Sequence, residues 1–223
     1  MKGVLFDFNG TMFLDSPYHW EAWRRLTRER FSREMQPDEY WNHYHGMPNE
    51  DIVAEFGGVP LPREEALKIG DEKEALYRQA CLENPADFHL TPGLPQLLDA
   101  LKARGIPMAI ATSVGIVNLR FYFEHFQLQR WIPLEKIVYD DGSRPGKPDP
   151  AGYLEAARRI GVAPQDCVGF EDSMSGLTAI FRAGTGRVYA VDGDGQGEKL
   201  RKAFPSLTLI PDFTAVTPQS LGL

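Results

Sequence analysis

The chain is short of cysteine, of net positive charge and of long apolar runs, and each shortage removes a class of function. Cys81 and Cys167 are the only cysteines in 223 residues. Two thiols make neither a disulfide framework nor a zinc site, so both are expected as buried thiols in a reducing cytoplasm. The 24 Lys and Arg against 31 Asp and Glu leave a net charge of −7, which argues against nucleic acid or an anionic membrane surface as a partner. An anionic small substrate would need a local cation to enter against that field. No apolar run is long enough to cross a bilayer. Asp7 interrupts the only early apolar stretch, so no signal-peptide core is expected. What remains is 43% hydrophobic and 25% charged, the balance of a soluble globular protein. Its length suits one large domain or one domain carrying an insertion. A monomer is the default expectation.

The stretch Lys2–Ser16 organises the rest. Gly3–Phe6 is a short apolar run without period-two alternation, which suits a strand buried on both faces. It ends at Asp7, and Asn9-Gly10 turns the chain, since both residues tolerate positive φ. Ligands of an open parallel sheet bind just beyond the carboxyl ends of its strands. Asp7 therefore stands at a site mouth, unless it serves only the turn by accepting backbone N–H groups.

Ser16 is read as an N-cap and Pro17 as the first helical position. From there to Leu90 the chain reads as about four helices, divided at Gln36-Pro37, His45–Pro48 and Gly57-Gly58-Val59-Pro60, with a polar helix over Arg63–Glu83. Trp20, Trp23 and Trp41 are expected in the core of this bundle. After Thr91-Pro92-Gly93 the pattern changes. Leu94, Leu97, Leu98 and Leu101 fall on one helix face, and strands then alternate with helices: Pro107–Ala111, Lys136–Tyr139, Cys167–Phe170, Arg187–Val191 and Leu207–Ile210. That alternation predicts an α/β fold, a Rossmann-like doubly wound parallel sheet, interrupted after its first strand by a helical-bundle cap. The expected domains are residues 1–15 with 91–223, and residues 16–90. The Asp192–Gly197 loop lacks the spacing of a calcium loop and is read as a plain connection.

Asp7, Thr112, Lys147 and Glu171-Asp172 all fall at strand ends or in adjoining loops of one sheet. Taken singly, each has a bland explanation: a solvated lysine, a strand end, a helix N-cap pair. Together they converge on one edge. At about 4 Å, each pair of carboxylates repels by on the order of 4 kcal/mol at an effective dielectric near 20. A hard divalent cation relieves that repulsion, and carboxylates with phosphate and water suit Mg²⁺. Thr112 can donate to a phosphoryl oxygen, Lys147 can neutralise its charge, and Asp7 can act as a nucleophile toward phosphorus.

With these residues in view, the sequence resembles the haloacid dehalogenase-like (HAD) superfamily, in the branch of β-phosphoglucomutases and sugar phosphatases with a helical cap. Asp7-Phe8-Asn9-Gly10-Thr11 resembles its first motif and Ala111-Thr112-Ser113 its second. Gly146-Lys147-Pro148-Asp149-Pro150 resembles the third, and Gly169–Gly176, GFEDSMSG, the fourth. The resemblance implies Mg²⁺ held by Asp7, the Asn9 main-chain carbonyl and Asp172 with Glu171 close by. It also implies phosphoryl transfer through Asp7, with Thr112 and Lys147 binding the phosphoryl group and Gly10, Thr11 and Ser113 beside them.

Asn9 departs from the pattern. Members of the branch carry a second Asp there as general acid and base, and an amide can do neither at neutral pH. His19 and Lys73 match cap residues near the substrate, or are ordinary helix-surface residues. Asn49 stands where the branch has an arginine that grips a second phosphate, and a neutral amide cannot make that bidentate pairing. The expectation is a phosphatase of a small phosphorylated metabolite, a sugar phosphate first of all. A phosphomutase and a catalytically silenced phosphate-binding protein are the alternatives.

Overall fold

The computed structural model describes residues 1–58 and 61–223. The Val59-Pro60 end of the break expected after Gly57-Gly58 lies outside them. The chain divides into two compact units, Met1–Leu14 with His89–Leu223, and Asp15–Phe88.

The first unit holds a six-stranded sheet. Its strands are β1 (Gly3–Phe6), β2 (Met108–Gly115), β3 (Ile137–Asp140), β4 (Cys167–Glu171), β5 (Arg187–Val191) and β6 (Thr208–Ile210). They are all parallel, in the order β3-β2-β1-β4-β5-β6. β1 lies at the centre with every residue buried, as its unbroken apolar run requires. The two chain halves diverge from β1, so the crevice at its carboxyl end is the switch point of a doubly wound sheet. Both faces carry apolar side chains. Leu5, Ala109, Val138, Leu177 and Ile180 belong to one core, while Phe6 stacks on Phe170 at 5.2 Å and Phe170 on Tyr189 at 5.2 Å. Each such buried side chain contributes roughly 1.5–3 kcal/mol.

β2 runs past its expected end at Ala111 through Ser113 to Gly115, with its register against β3 slipping between Ala111 and Gly115. Periodicity cannot show this, because the extra residues are polar or small and leave the apolar run.

The second unit is helical. It comprises α1 (Ser16–Phe31), the short α2 (Pro37–Glu39) running into a π-turn at Tyr40–Tyr44, α3 (Asn49–Phe56) and α4 (Arg63–Glu83). Trp23, Leu26, Met35, Ile52, Val53 and Ile69 form its core, with Trp20 packed at the edge. Two expectations are corrected here. Trp41 is exposed, because the π-turn rotates it away from the buried Tyr40 and Tyr44. The N-cap of α1 is Asp15, not Ser16, which is already the first helical residue; the Asp15 carboxylate makes no cap bond and meets Tyr77 and His19 instead. No described helix is long and apolar enough to cross a membrane.

Candidate active site

The register of the sheet sets the site. Phe6 pairs with Phe170 on one side and Ile110 on the other, so the next residues, Asp7, Glu171 and Ala111, lie level at the carboxyl edge. The Asp7 amide continues the ladder by donating to the Phe170 carbonyl at 2.9 Å. Asp7 and Glu171 are both buried.

Lys147 reaches in from the loop before α7 (Ala151–Ile160), 140 residues beyond Asp7. Its Nζ donates to Asp7 Oδ1 and, at 2.5 Å, to Glu171 Oε1. Tyr153, on α7, donates its phenol to the same Glu171 oxygen at 2.8 Å and lies under the Lys147 ammonium at 5.1 Å. Glu171 Oε2 accepts from the Asp172 amide at 2.8 Å, the Ser173 amide at 3.1 Å and the Ser173 hydroxyl at 3.2 Å. Five donors meet a group with about four lone-pair sites. Glu171 therefore braces Lys147 and the turn into α8 (Met174–Arg182), and has little capacity left as a direct metal ligand.

Charge is tightly coupled here. Burial pushes the Asp7 carboxyl up to about 7, the Lys147 charge pulling against that and Glu171 adding to it. Burial works against the Lys147 charge, yet Asp7 and Glu171 more than offset it and hold the ammonium above its ordinary range. Glu171 also resists burial, its carboxyl lowered by Lys147 and by the Ser173 and Asp172 amides.

Asp172 is drawn in from the other side. Its Oδ1 accepts from the Thr11 hydroxyl at 3.3 Å. Gly10, at φ 73°, makes room for it: a Cβ there would meet Asp172 Oδ2 at 2.1 Å. Oxygens of Asp7, Glu171 and Asp172 lie within 4.8 Å of one another. Thr112 Oγ1 accepts from the Val114 amide at 3.2 Å. Thr112, Ser113 and Lys147 line one cleft.

Gly176 is the tightest point of the site. A Cβ there would sit 1.7 Å from Glu171 Oε1. Gly→Ala inside a helix ordinarily gains about 1 kcal/mol, but here the carboxylate would have to leave Lys147 and Tyr153. Gly176→Ala is expected to destabilise the fold by roughly 1–3 kcal/mol, read as a lower urea midpoint. A variant as stable as the native chain would show that Glu171 can relocate freely.

The Asn9 side chain meets a tyrosine: its Nδ2 donates to Tyr122 Oη at 3.1 Å. Tyr122 is fully buried on α6 (Ile116–His125) and stacks on Phe8 at 4.7 Å. His19, Lys73 and Asn49 gather within the helical unit. Lys73 Nζ lies 2.5 Å from His19 Nδ1 and 2.9 Å from Glu74 Oε1, and Asn49 Nδ2 donates to the same Glu74 oxygen at 2.8 Å. His19 Nε2 lies 3.1 Å from Asp15 Oδ2, which also accepts the Tyr77 phenol at 2.8 Å. His19 is partly exposed, but Lys73 is 2% exposed, so for Lys73 the surface reading is wrong. Burial lowers the Lys73 ammonium, with Glu74 pulling the other way.

Sequence reading missed Tyr153, Tyr122 and Asp15 as parts of these networks. Tyr153 and Tyr122 sit in apolar helical runs without a motif, and only their place in the fold reveals their hydroxyl partners.

Comparison with known proteins agrees with this geometry. Residues 1–184 match the model of the haloacid dehalogenase-like hydrolase family. A phosphorylated carbohydrates phosphatase of Thermotoga maritima is 30% identical over 195 residues, covering 86% of this chain and 85% of that protein. The β-phosphoglucomutase of Bacillus subtilis is 28% identical over 215 residues, covering 90% and 86%. The crystal structure of an Entamoeba histolytica HAD hydrolase, family IA, variant 3, superposes with a TM-score of 0.92 at 30% identity, covering 99% of this chain and 97% of that one. With motifs, sheet order and relatives in agreement over most of its length, the chain belongs to the haloacid dehalogenase-like hydrolase family.

Proposed function

We propose that this chain is a Mg²⁺-dependent phosphatase of a small phosphorylated carbohydrate, acting through phosphoryl transfer to Asp7. The observation that carries this reading is the buried Lys147 ammonium bridging Asp7 and Glu171 beside a cleft that Thr112 and Ser113 also line. Likeness to a phosphorylated carbohydrates phosphatase supports the substrate class.

The donor set fits a hard divalent cation. Three carboxylates within 4.8 Å against one lysine leave an excess of two negative charges when all are ionised, and oxygen ligands suit Mg²⁺. Asp7, Asp172 and the Asn9 main-chain carbonyl would hold it, with Glu171 contributing charge from behind. When bound, the ion supplies the positive charge that keeps Asp7 ionised and screens the incoming phosphoryl oxygens.

The chain's own residues do the rest. Thr112 and Lys147 grip the phosphoryl oxygens and orient phosphorus toward a free oxygen of Asp7. An Asp7 oxygen–phosphorus bond forms as the ester oxygen–phosphorus bond breaks. The departing alkoxide takes its proton from water, because the Asn9 amide has none to give at neutral pH. Water then attacks the acyl phosphate, releasing inorganic phosphate and restoring the Asp7 carboxylate. With no positioned base at residue 9, this second stage is slow and the aspartyl-phosphate long-lived.

A phosphate-release screen over a panel of phosphorylated metabolites, with and without Mg²⁺, tests the reading. Release that requires Mg²⁺ supports it. Isomerised product primed by a bisphosphate, with little free phosphate, would instead establish a phosphomutase, the activity named for the Bacillus subtilis relative. Thermal stabilisation by ligands without turnover of any ester would make the protein a silenced phosphate binder.

A further inference from the structure

We propose that Arg144 is a second anion contact of the cleft, and that the physiological ester carries a further anionic group, carboxylate or phosphate, besides the phosphoryl group that is transferred. This rests on the phosphatase reading for the identity of the first group.

Arg144 lies three residues before Lys147 and lines the same cleft as Thr112, Ser113 and Lys147. Three residues of chain span at most about 11 Å between Cα atoms, so both cations are within reach of one small ligand. Two of the three Lys147 N–H donors already meet Asp7 and Glu171 at its end of the cleft. Arg144 is less engaged. Its Nη2 alone carries its contacts, to Asp141 Oδ2 at 3.1 Å and the Tyr139 carbonyl at 3.4 Å. The N–H groups on Nε and Nη1 have no partner among the described residues, and a guanidinium presents its donors in the planar fork that matches carboxylate or phosphate.

The loop that carries Arg144 is already shaped. The Gly142 amide donates to Asp140 Oδ1 at 3.0 Å, and the Ser143 amide and hydroxyl donate to Asp141 Oδ1 at 2.9 and 2.5 Å. Pro145 follows with its φ set by the ring. Arg144 is thus offered from a preformed turn rather than a free strand of chain.

Acidic residues also line the cleft, and each is held by local hydrogen bonds. Asp140 is held by the Gly142 amide, Asp149 accepts from the Ala151 amide at 2.9 Å, and Asp141 keeps two Ser143 donors if Arg144 turns away. Hydrogen bonds to Ser143 come first in holding the Asp141 carboxyl down to about 2, with Arg144 adding to them. The Arg144–Asp141 pair is 26% and 37% exposed. Pairs this open to water are weak and exchange readily for a better acceptor.

The test compares a neutral hexose phosphate, a hexose bisphosphate and a phosphorylated aldonic acid. Steady-state kcat/KM is measured in the Asn9→Asp background, with and without Arg144→Gln. Dissociation constants are measured by titration calorimetry on Asp7→Asn protein, which cannot turn the ligands over. Arg144→Gln is expected to lower the preference for the doubly anionic ligands over the hexose phosphate roughly tenfold or more, in both readouts. Arg144→Lys should restore part of it. Comparing bisphosphate with aldonic acid tells phosphate from carboxylate as the second group. If no ester is hydrolysed, the phosphatase reading fails while the dissociation constants still decide the role of Arg144. If those constants keep the same ratio to within about twofold, Arg144 is an ordinary solvated arginine and the proposal is overturned.

Discussion

Replacing Asn9 with Asp should raise turnover of a sugar phosphate by about 10²–10⁴-fold, the usual worth of a positioned acid–base group. The reason is local. A carboxyl group at residue 9 can give a proton to the leaving alkoxide and later take one from the attacking water, whereas the amide can do neither. The surroundings are ready to accept the change. The Asn9 amide is held by Tyr122 Oη at 3.1 Å, and a phenol can donate to a carboxylate as well as accept from an amide. The gain should shrink with an aryl phosphate, whose leaving group departs without protonation. In the unaltered chain, brief incubation with such an activated ester should leave a phosphorylated protein detectable by intact-mass measurement. The same spectrum verifies that residue 9 is still Asn, since Asn-Gly sequences deamidate. No rise in turnover with either class of ester in Asn9→Asp would sink this account of the site.

Removing the lysine should be costly twice over. Lys147→Met takes away the one cation that, among the described residues, pairs with the two buried carboxylates Asp7 and Glu171. Breaking a buried pair from one side typically costs about 3–5 kcal/mol, because the remaining charge stays desolvated and uncompensated. The second loss is catalytic: the phosphoryl group would meet the carboxylates without the ammonium between them. Electrostatic donors of this kind are worth about 10²–10³-fold each. Chemical denaturation and phosphate release should therefore both fall. If Lys147→Met is as stable as the native chain, Lys147 does not neutralise the site. A normal midpoint with lost turnover would confine its role to the substrate. Adding Glu171→Gln should recover part of the lost stability, since it withdraws one of the stranded charges.

Much of the architecture was legible because hydrophobic patterning is local. The apolar run Gly3–Phe6, the leucine face of α5 (Leu94–Ala103) and the alternating strands after it required no knowledge of partners. The bounds of α4 and α7 agree with their sequence readings for the same reason: Gly161 ends α7 in the left-handed conformation, and Pro62 precedes α4. Where polar residues extend an element, as in β2 beyond Ala111, patterning is silent. Trp41 shows the converse, because a residue's type does not reveal a π-turn that rotates it outward.

The amino-acid order alone determined the kinds of group available for chemistry: an early aspartate at a strand end, an Asn-Gly pair just after it, a lysine after a glycine, and an acidic pair before a helix. Only the tertiary structure decided their division of labour. Parallel register sets Asp7 level with Glu171, and the absence of a Cβ at Gly10 and Gly176 lets Asp172 and Glu171 close in. Tyr153 and Tyr122 acquire meaning from neighbours far away in the chain. Side-chain hydrogen bonds and charge coupling act over a few ångströms of space, and no spacing along the chain encodes those distances.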